Sequence, residues 1–203
     1  MSPAAAYTVQ NDERAAHASA LLVVDMISCW DFPDADVLLP FAADIAPRIA
    51  TLKARCAAAG IPTLYCNDNR GRWRSDFRSL VEAASGCGGA GAEIVRQLAP
   101  RREDYFVLKP MHSAFFGTPL ELLLGHLGVQ RIILTGVSSD QCIMATAAEA
   151  RMRDLQVQVP WDAVASQSAA RNEAALLQFR ETHKIETPSA DALRLERLAA
   201  PED

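Results

Sequence analysis

Short, unbroken apolar runs along the chain alternate with longer segments whose apolar residues recur every three or four positions. The first run spans residues 18–24 and closes on Asp25. It is continuous rather than alternating. A strand covered on both faces has no polar side, so this pattern predicts a strand inside a parallel sheet. Residues 61–67, 104–109, 131–136 and 155–160 are read as further strands, with Pro62 near the start of its run, where a strand tolerates proline. Residues 38–59 carry a helical period that stops at Gly60. Further helices are predicted ending near Leu80 and over 93–98, 120–127, 141–154 and 169–183.

Strands alternating with helices predict an α/β fold, a three-layer α/β/α sandwich around a mostly parallel sheet of five to six strands. The length, 203 residues, suits a single domain over 1–203, with a polar arm at 1–18 and a core over about 19–185. Residues 67–92 form the least regular connection, and one this long is expected to be functional. Ligands on such sheets bind beyond the carboxyl ends of the strands. At those ends stand Asp25, then Asn67 and Asp68, then Lys109, and Cys142 after a short loop beyond the fourth strand.

Each of these residues has two readings. Cys142 is either a small buried packing residue or a nucleophile near a helix N-terminus, whose dipole and free N–H groups lower a thiol pKa. Asp25 is either an ion-pair or capping group or a proton-transfer group, since a carboxylate ending an apolar strand needs a partner or a task. Lys109 either reaches solvent or joins them. Converging, the three supply a nucleophile, a base and an orienting cation with no histidine required. Trp30, Phe32, Asn67, Trp73, Phe115 and Phe116 are the candidate pocket residues. The alternative for the aromatics is core packing, and for Asn67 a turn. His112 either touches substrate or makes a structural hydrogen bond.

Composition narrows the partners. Hydrophobic residues make up 50% of the chain and aromatics 6%, which predicts an aliphatic core. The formal charge of −5 and the lack of a basic stripe argue against nucleic acid. Arg70, Arg72, Arg74 and Arg78, interleaved with Asp68 and Asp76, read as a solvated loop or as a site for an anionic substrate group. Five cysteines without Cys-x-x-Cys spacing, and no leading signal pattern, are expected to be free thiols in a reducing, cytoplasmic setting. No apolar run is long enough to span a bilayer. The four histidines show no ligand spacing, so neither a metal nor another cofactor is expected.

Three ordered segments carry a resemblance. They are Leu21-Leu22-Val23-Val24-Asp25, then Leu108-Lys109-Pro110 with His112-Ser113-Ala114-Phe115-Phe116-Gly117-Thr118, then Leu134-Thr135-Gly136-Val137-Ser138-Ser139-Asp140-Gln141-Cys142. Thr146-Ala147-Ala148-Glu149-Ala150 and Trp161-Asp162-Ala163-Val164-Ala165 follow. With these the chain resembles the isochorismatase-like cysteine hydrolases, relatives of nicotinamidase and N-carbamoylsarcosine amidohydrolase. The resemblance implies an Asp25–Lys109–Cys142 triad and a cis peptide between Val137 and Ser138. It also implies an oxyanion hole from the backbone N–H groups of Ser138 and Cys142. The implied reaction is hydrolysis of a C–N bond in a small amide, ureido or carbamoyl compound through a thioester, Asp25 protonating the leaving nitrogen and then activating water. Vinyl-ether hydrolysis with Asp25 as acid, or an inactive family member, are the alternatives. Nicotinamidases of the family hold a metal through Asp-x-His after the second strand, whereas this chain reads Asn67-Asp68-Asn69. A homo-oligomer, dimer or tetramer, is expected by the same resemblance.

Overall fold

The computed structural model describes residues 17–69, 71, 73 and 76–199 of the chain. The arm predicted over 1–18 falls almost wholly outside these residues, as do Arg70, Arg72 and Arg74 of the basic cluster. Five strands, β1 (Ser19–Val24), β2 (Thr63–Asp68), β3 (Tyr105–Lys109), β4 (Arg131–Val137) and β5 (Gln156–Gln158), lie in the order β3-β2-β1-β4-β5. A sixth, β6 (Val164–Ala165), also pairs with β4, and every pairing is parallel. β5 takes the amino-terminal half of β4 and β6 its carboxyl half. The break between them falls at Pro160, which has no N–H to give a ladder. The single fifth strand expected over 155–160 is therefore shorter, and β6 is additional.

Period-two alternation sorts each strand between two cores. Leu21 and Val23 of β1 pack with α1 (Ala35–Ala58), α2 (Phe77–Gly86), α3 (Gly89–Gln97) and α7 (Leu195–Ala199). Ala20, Leu22 and Val24 face the other way, onto α4 (Leu120–Leu127), α5 (Met144–Arg151) and α6 (Ala169–Glu181). The result is the expected three layers.

Strand order reverses between β1 and β4. The chain leaves β1 toward β2 and β3, then returns to the other side of β1 as β4 and continues to β5. Crevices for ligands open at such a switch point. The two strands run unusually close at their carboxyl ends, where Val24 pairs with Gly136. Gly136 has φ 107°, and a Cβ there would sit 2.1 Å from the Val24 carbonyl oxygen. No side chain fits at that position.

The loop after β1 is held from outside the sheet. Cys29 is disulfide-bonded to Cys87, which caps α2, and the two Cα atoms are 5.5 Å apart. This corrects the expectation of five free thiols. The partners lie 58 residues apart, so no local spacing could reveal the pair. Cys56, Cys66 and Cys142 are free. With a disulfide present, the cysteines no longer argue for a reducing compartment. Among the described residues, no helix is long and apolar enough to cross a membrane.

Gly136→Ala is expected to lower stability by at least about 3 kcal/mol, because the clash is with backbone and cannot relax by a rotamer change. A urea unfolding midpoint equal to that of the unsubstituted protein would contradict this.

Candidate active site

Asp25 is the first residue past β1, and there the chain turns through the left-handed region, φ 56°, a conformation that aspartate tolerates better than most residues. Its N–H donates to the Cys66 carbonyl at 3.1 Å, as if the strand ran one residue further. The carboxylate is held at both oxygens: Oδ1 accepts the Asp68 N–H at 2.8 Å, and Oδ2 lies 2.8 Å from Lys109 Nζ.

Lys109 closes β3, two strands away from β1, a separation of about 10 Å at ordinary strand spacing. A long, flexible stem is what lets a cation reach across β2, and the side chain is wholly buried along the way. An ammonium has three N–H donors. Three acceptors meet them: the Asp25 carboxylate, the Met111 carbonyl at 3.3 Å and the Cys142 sulfur at 3.4 Å. Asp68 Oδ2 stands further off, at 3.9 Å.

Cys142 comes from beyond β4. The Val137–Ser138 peptide is cis. The chain then forms a π turn, Ser139–Ile143, closed by the Ile143 N–H on the Ser138 carbonyl at 3.1 Å, before α5 begins. The expected helix over 141–154 thus starts in a wider turn, a feature frequent at functional sites. Asp140 fastens this turn to α6. It accepts from the Ser166 hydroxyl at 2.6 Å and from Arg171 Nε and Nη2 at 2.7 and 2.6 Å.

The charges settle in one direction. Burial would lower the Lys109 pKa, but Asp25, followed by Cys142 and Asp68, outweighs it and holds the ammonium protonated. Burial pushes the Cys142 thiol up to about 12; the Asp25 carboxylate, which also accepts its hydrogen bond, adds to this, and Lys109 only partly offsets it. The resting site is an ion pair beside a neutral thiol. Burial and the neighbouring carboxylate act against the lowering that a helix N-terminus is expected to give.

Asp25 and Cys142 line a cavity of about 660 Å³, with Lys109 buried behind them. Asn67 and Phe32 line it, as do Ser138, His112, Gln141 and Gln167. Asn67 is buried, and its Nδ2 donates to the Ile27 carbonyl at 2.8 Å. One wall is the loop after β1, through Asp31, Pro33 and Asp34. Four predicted pocket residues stand elsewhere. Trp30 is buried against α3, where a Cβ on Gly91 would come within 2.6 Å of its ring. Phe115 lies in the core beneath the Arg153 guanidinium, 4.6 Å from its ring centre. Phe116 and Trp73 face solvent. Nearness in sequence to a motif does not set the direction of an aromatic ring in a loop.

The sequence reading named Phe32 but not Asp31, Pro33, Asp34, Gln141 or Gln167 as cavity lining. Gln141, immediately before Cys142, was the one with a usable signal. Among the described residues, no group of three or more His, Cys, Asp or Glu side chains is arranged to hold a metal ion.

The comparisons agree with this arrangement. The family model described as the isochorismatase domain matches residues 19–189. An isochorismatase family protein of Bacillus subtilis, YaaI, is 37% identical over 157 residues, covering 77% of this chain and 86% of that protein. The isochorismatase of the same organism is 30% identical over 164 residues, covering 79% of this chain and 52% of that protein, about half its length. Among solved structures, an isochorismatase family protein from Desulfovibrio vulgaris superposes with a TM-score of 0.70 at 27% identity, covering 87% of this chain and 96% of that one. The N-carbamoylsarcosine amidase of Thermoplasma acidophilum gives 0.67 at 25% identity, covering 87% and 98%. A chain that matches the domain model over most of its length, and these relatives over most of its own, belongs to the isochorismatase family of hydrolases.

Proposed function

We propose that the protein hydrolyses a carbon–nitrogen bond in a small amide, ureido or carbamoyl compound, with Cys142 as nucleophile and a thioester as intermediate. The observation that carries this reading is a single contact set: the buried Lys109 ammonium touches both the Asp25 carboxylate and the Cys142 sulfur, which line the cavity. As sulfur bonds to the carbonyl carbon, the thiol proton passes to Asp25, which already accepts it as a hydrogen bond. The backbone N–H groups of Ser138 and Cys142 are the proposed donors to the oxyanion. The C–N bond then breaks, its electron pair goes to nitrogen, and Asp25 delivers the proton there. Water completes the cycle at the thioester. The likeness to an N-carbamoylsarcosine amidase supports the substrate class.

A second reading, hydrolysis of a vinyl ether with Asp25 as acid and Cys142 a bystander, is favoured by the likeness to an isochorismatase. Cys142→Ala separates the two. Against a panel of N-carbamoyl amino acids and small primary amides, it is expected to lower turnover by at least about 10³-fold. Vinyl-ether hydrolysis that survives the substitution, with no amide turnover by either protein, would establish the second reading instead.

Lys109→Met is expected to abolish activity and to cost about 3–5 kcal/mol, since it leaves the Asp25 charge without its partner. Adding Asp25→Asn should restore much of the stability and none of the activity. Urea unfolding beside the substrate assay checks both, and a double variant no more stable than Lys109→Met would contradict the pairing.

A further inference from the structure

Two sets of contacts hold the segment that carries Cys142, and they hold different parts of it. The sulfur is flanked by Lys109 Nζ at 3.4 Å and His112 Nδ1 at 3.6 Å. The backbone is held through Asp140, midway between Ser138 and Cys142, the two proposed oxyanion donors. Asp140 Oδ1 accepts from the Ser166 hydroxyl at 2.6 Å. Its Oδ2 accepts from both Nε and Nη2 of Arg171, at 2.7 and 2.6 Å.

Both anchors stand on regular structure. Ser166 directly follows β6, whose Ala165 pairs with Val137. Arg171 lies in the first turn of α6, where the Ser168 side chain caps the helix by accepting the Arg171 N–H at 3.2 Å. The clamp ties the nucleophile turn to a strand end and a helix end at once. Its worth is not stability. The Asp140 side chain is 21% exposed and that of Arg171 45%, and an ion pair so open to water contributes little to folding. Geometry is another matter. An oxyanion hole works only if its donors lie about 2.7–3.1 Å from the developing charge. Backbone in so short a turn takes its shape from tertiary contacts more than from its own bonds.

Resting on the thioester reading above, we infer that Asp140, clamped by Arg171 and Ser166, is a positioning residue for acyl transfer. It holds the Ser138 and Cys142 N–H groups where the substrate's carbonyl oxygen gains charge. The sulfur is kept in place independently, by Lys109.

The test compares two reactions of Cys142 that differ in one respect. With p-nitrophenyl acetate the sulfur bonds to the acetyl carbon and the carbonyl oxygen passes through an oxyanion. p-Nitrophenolate then leaves with its electron pair, and the thiol proton is released. With iodoacetamide the sulfur displaces iodide and no oxyanion forms. Full-length protein and its Arg171→Met, Asp140→Ala and doubly substituted variants are treated with each reagent, and peptide mass spectrometry follows Cys142. The expected result is acetylation slowed about 10-fold or more in each variant, with alkylation at the unsubstituted rate. The double variant should be no slower than Asp140→Ala, because both changes remove one clamp. Equal slowing of both reactions overturns the inference, since a loosened sulfur or fold would do the same. Acetylation at the unsubstituted rate in either single variant also overturns it, and so do losses that multiply in the double variant. If the unsubstituted protein fails to acetylate at Cys142, the thioester reading itself falls, and this inference with it.

Discussion

A buried ammonium is the constraint around which this site is built. Lys109 is wholly enclosed, and a charge in that position is tolerated only if it is paired and each of its donors is met. Those requirements reach far into the fold. Asp25 must leave β1 through a left-handed turn to offer its carboxylate, the loop after β3 must bend so that Met111 offers its carbonyl, and Cys142 must approach from the far side of β1. The last is possible because strand order reverses between β1 and β4, and because Gly136 lets the two strands close up where both groups emerge. Remove the cation and three separate elements lose their common anchor.

The same enclosure determines what kind of nucleophile Cys142 is. Dehydration is the largest influence on the sulfur and favours the thiol; the Asp25 carboxylate adds to it and Lys109 opposes it. Such a sulfur does not become a thiolate in advance of substrate. Its proton leaves when the C–S bond forms, toward a carboxylate already hydrogen-bonded to it. The preorganised groups then act on charge that develops during reaction, which is where they lower a barrier. Shape selection falls to the cavity walls. The wall after β1 is fixed from the helical layer, by the Cys29–Cys87 bond and by Trp30 seated on Gly91, so residues that never touch the cavity set its outline.

Much of this was legible in the chain, for identifiable reasons. Short apolar-rich runs marked five strands, and a polar residue ending each of three runs marked one edge of the sheet, because strand direction in a parallel sheet puts all such ends together. Asp25, Lys109 and Cys142 could therefore be gathered before any coordinates. What stayed hidden depends on long-range placement. The Cys29–Cys87 pair joins two loops with no local pattern. Trp30 turned inward and Phe116 outward for reasons of packing that no spacing encodes. β6 is only two residues long, too short for a periodicity. A helix N-terminus near Cys142 is visible in the sequence, whereas the burial of the thiol beside a carboxylate is not.

The central claim is that the resting site pairs an ammonium and a carboxylate beside a neutral thiol. The most direct measurement is the ¹³Cβ chemical shift of Cys142 in cysteine-labelled protein, assigned by its absence from Cys142→Ser and followed from about pH 5 to about pH 10, across the ordinary thiol range. The account predicts no titration step for Cys142 over that interval. A step with a midpoint at or below about 7, as for an activated thiolate, would contradict it.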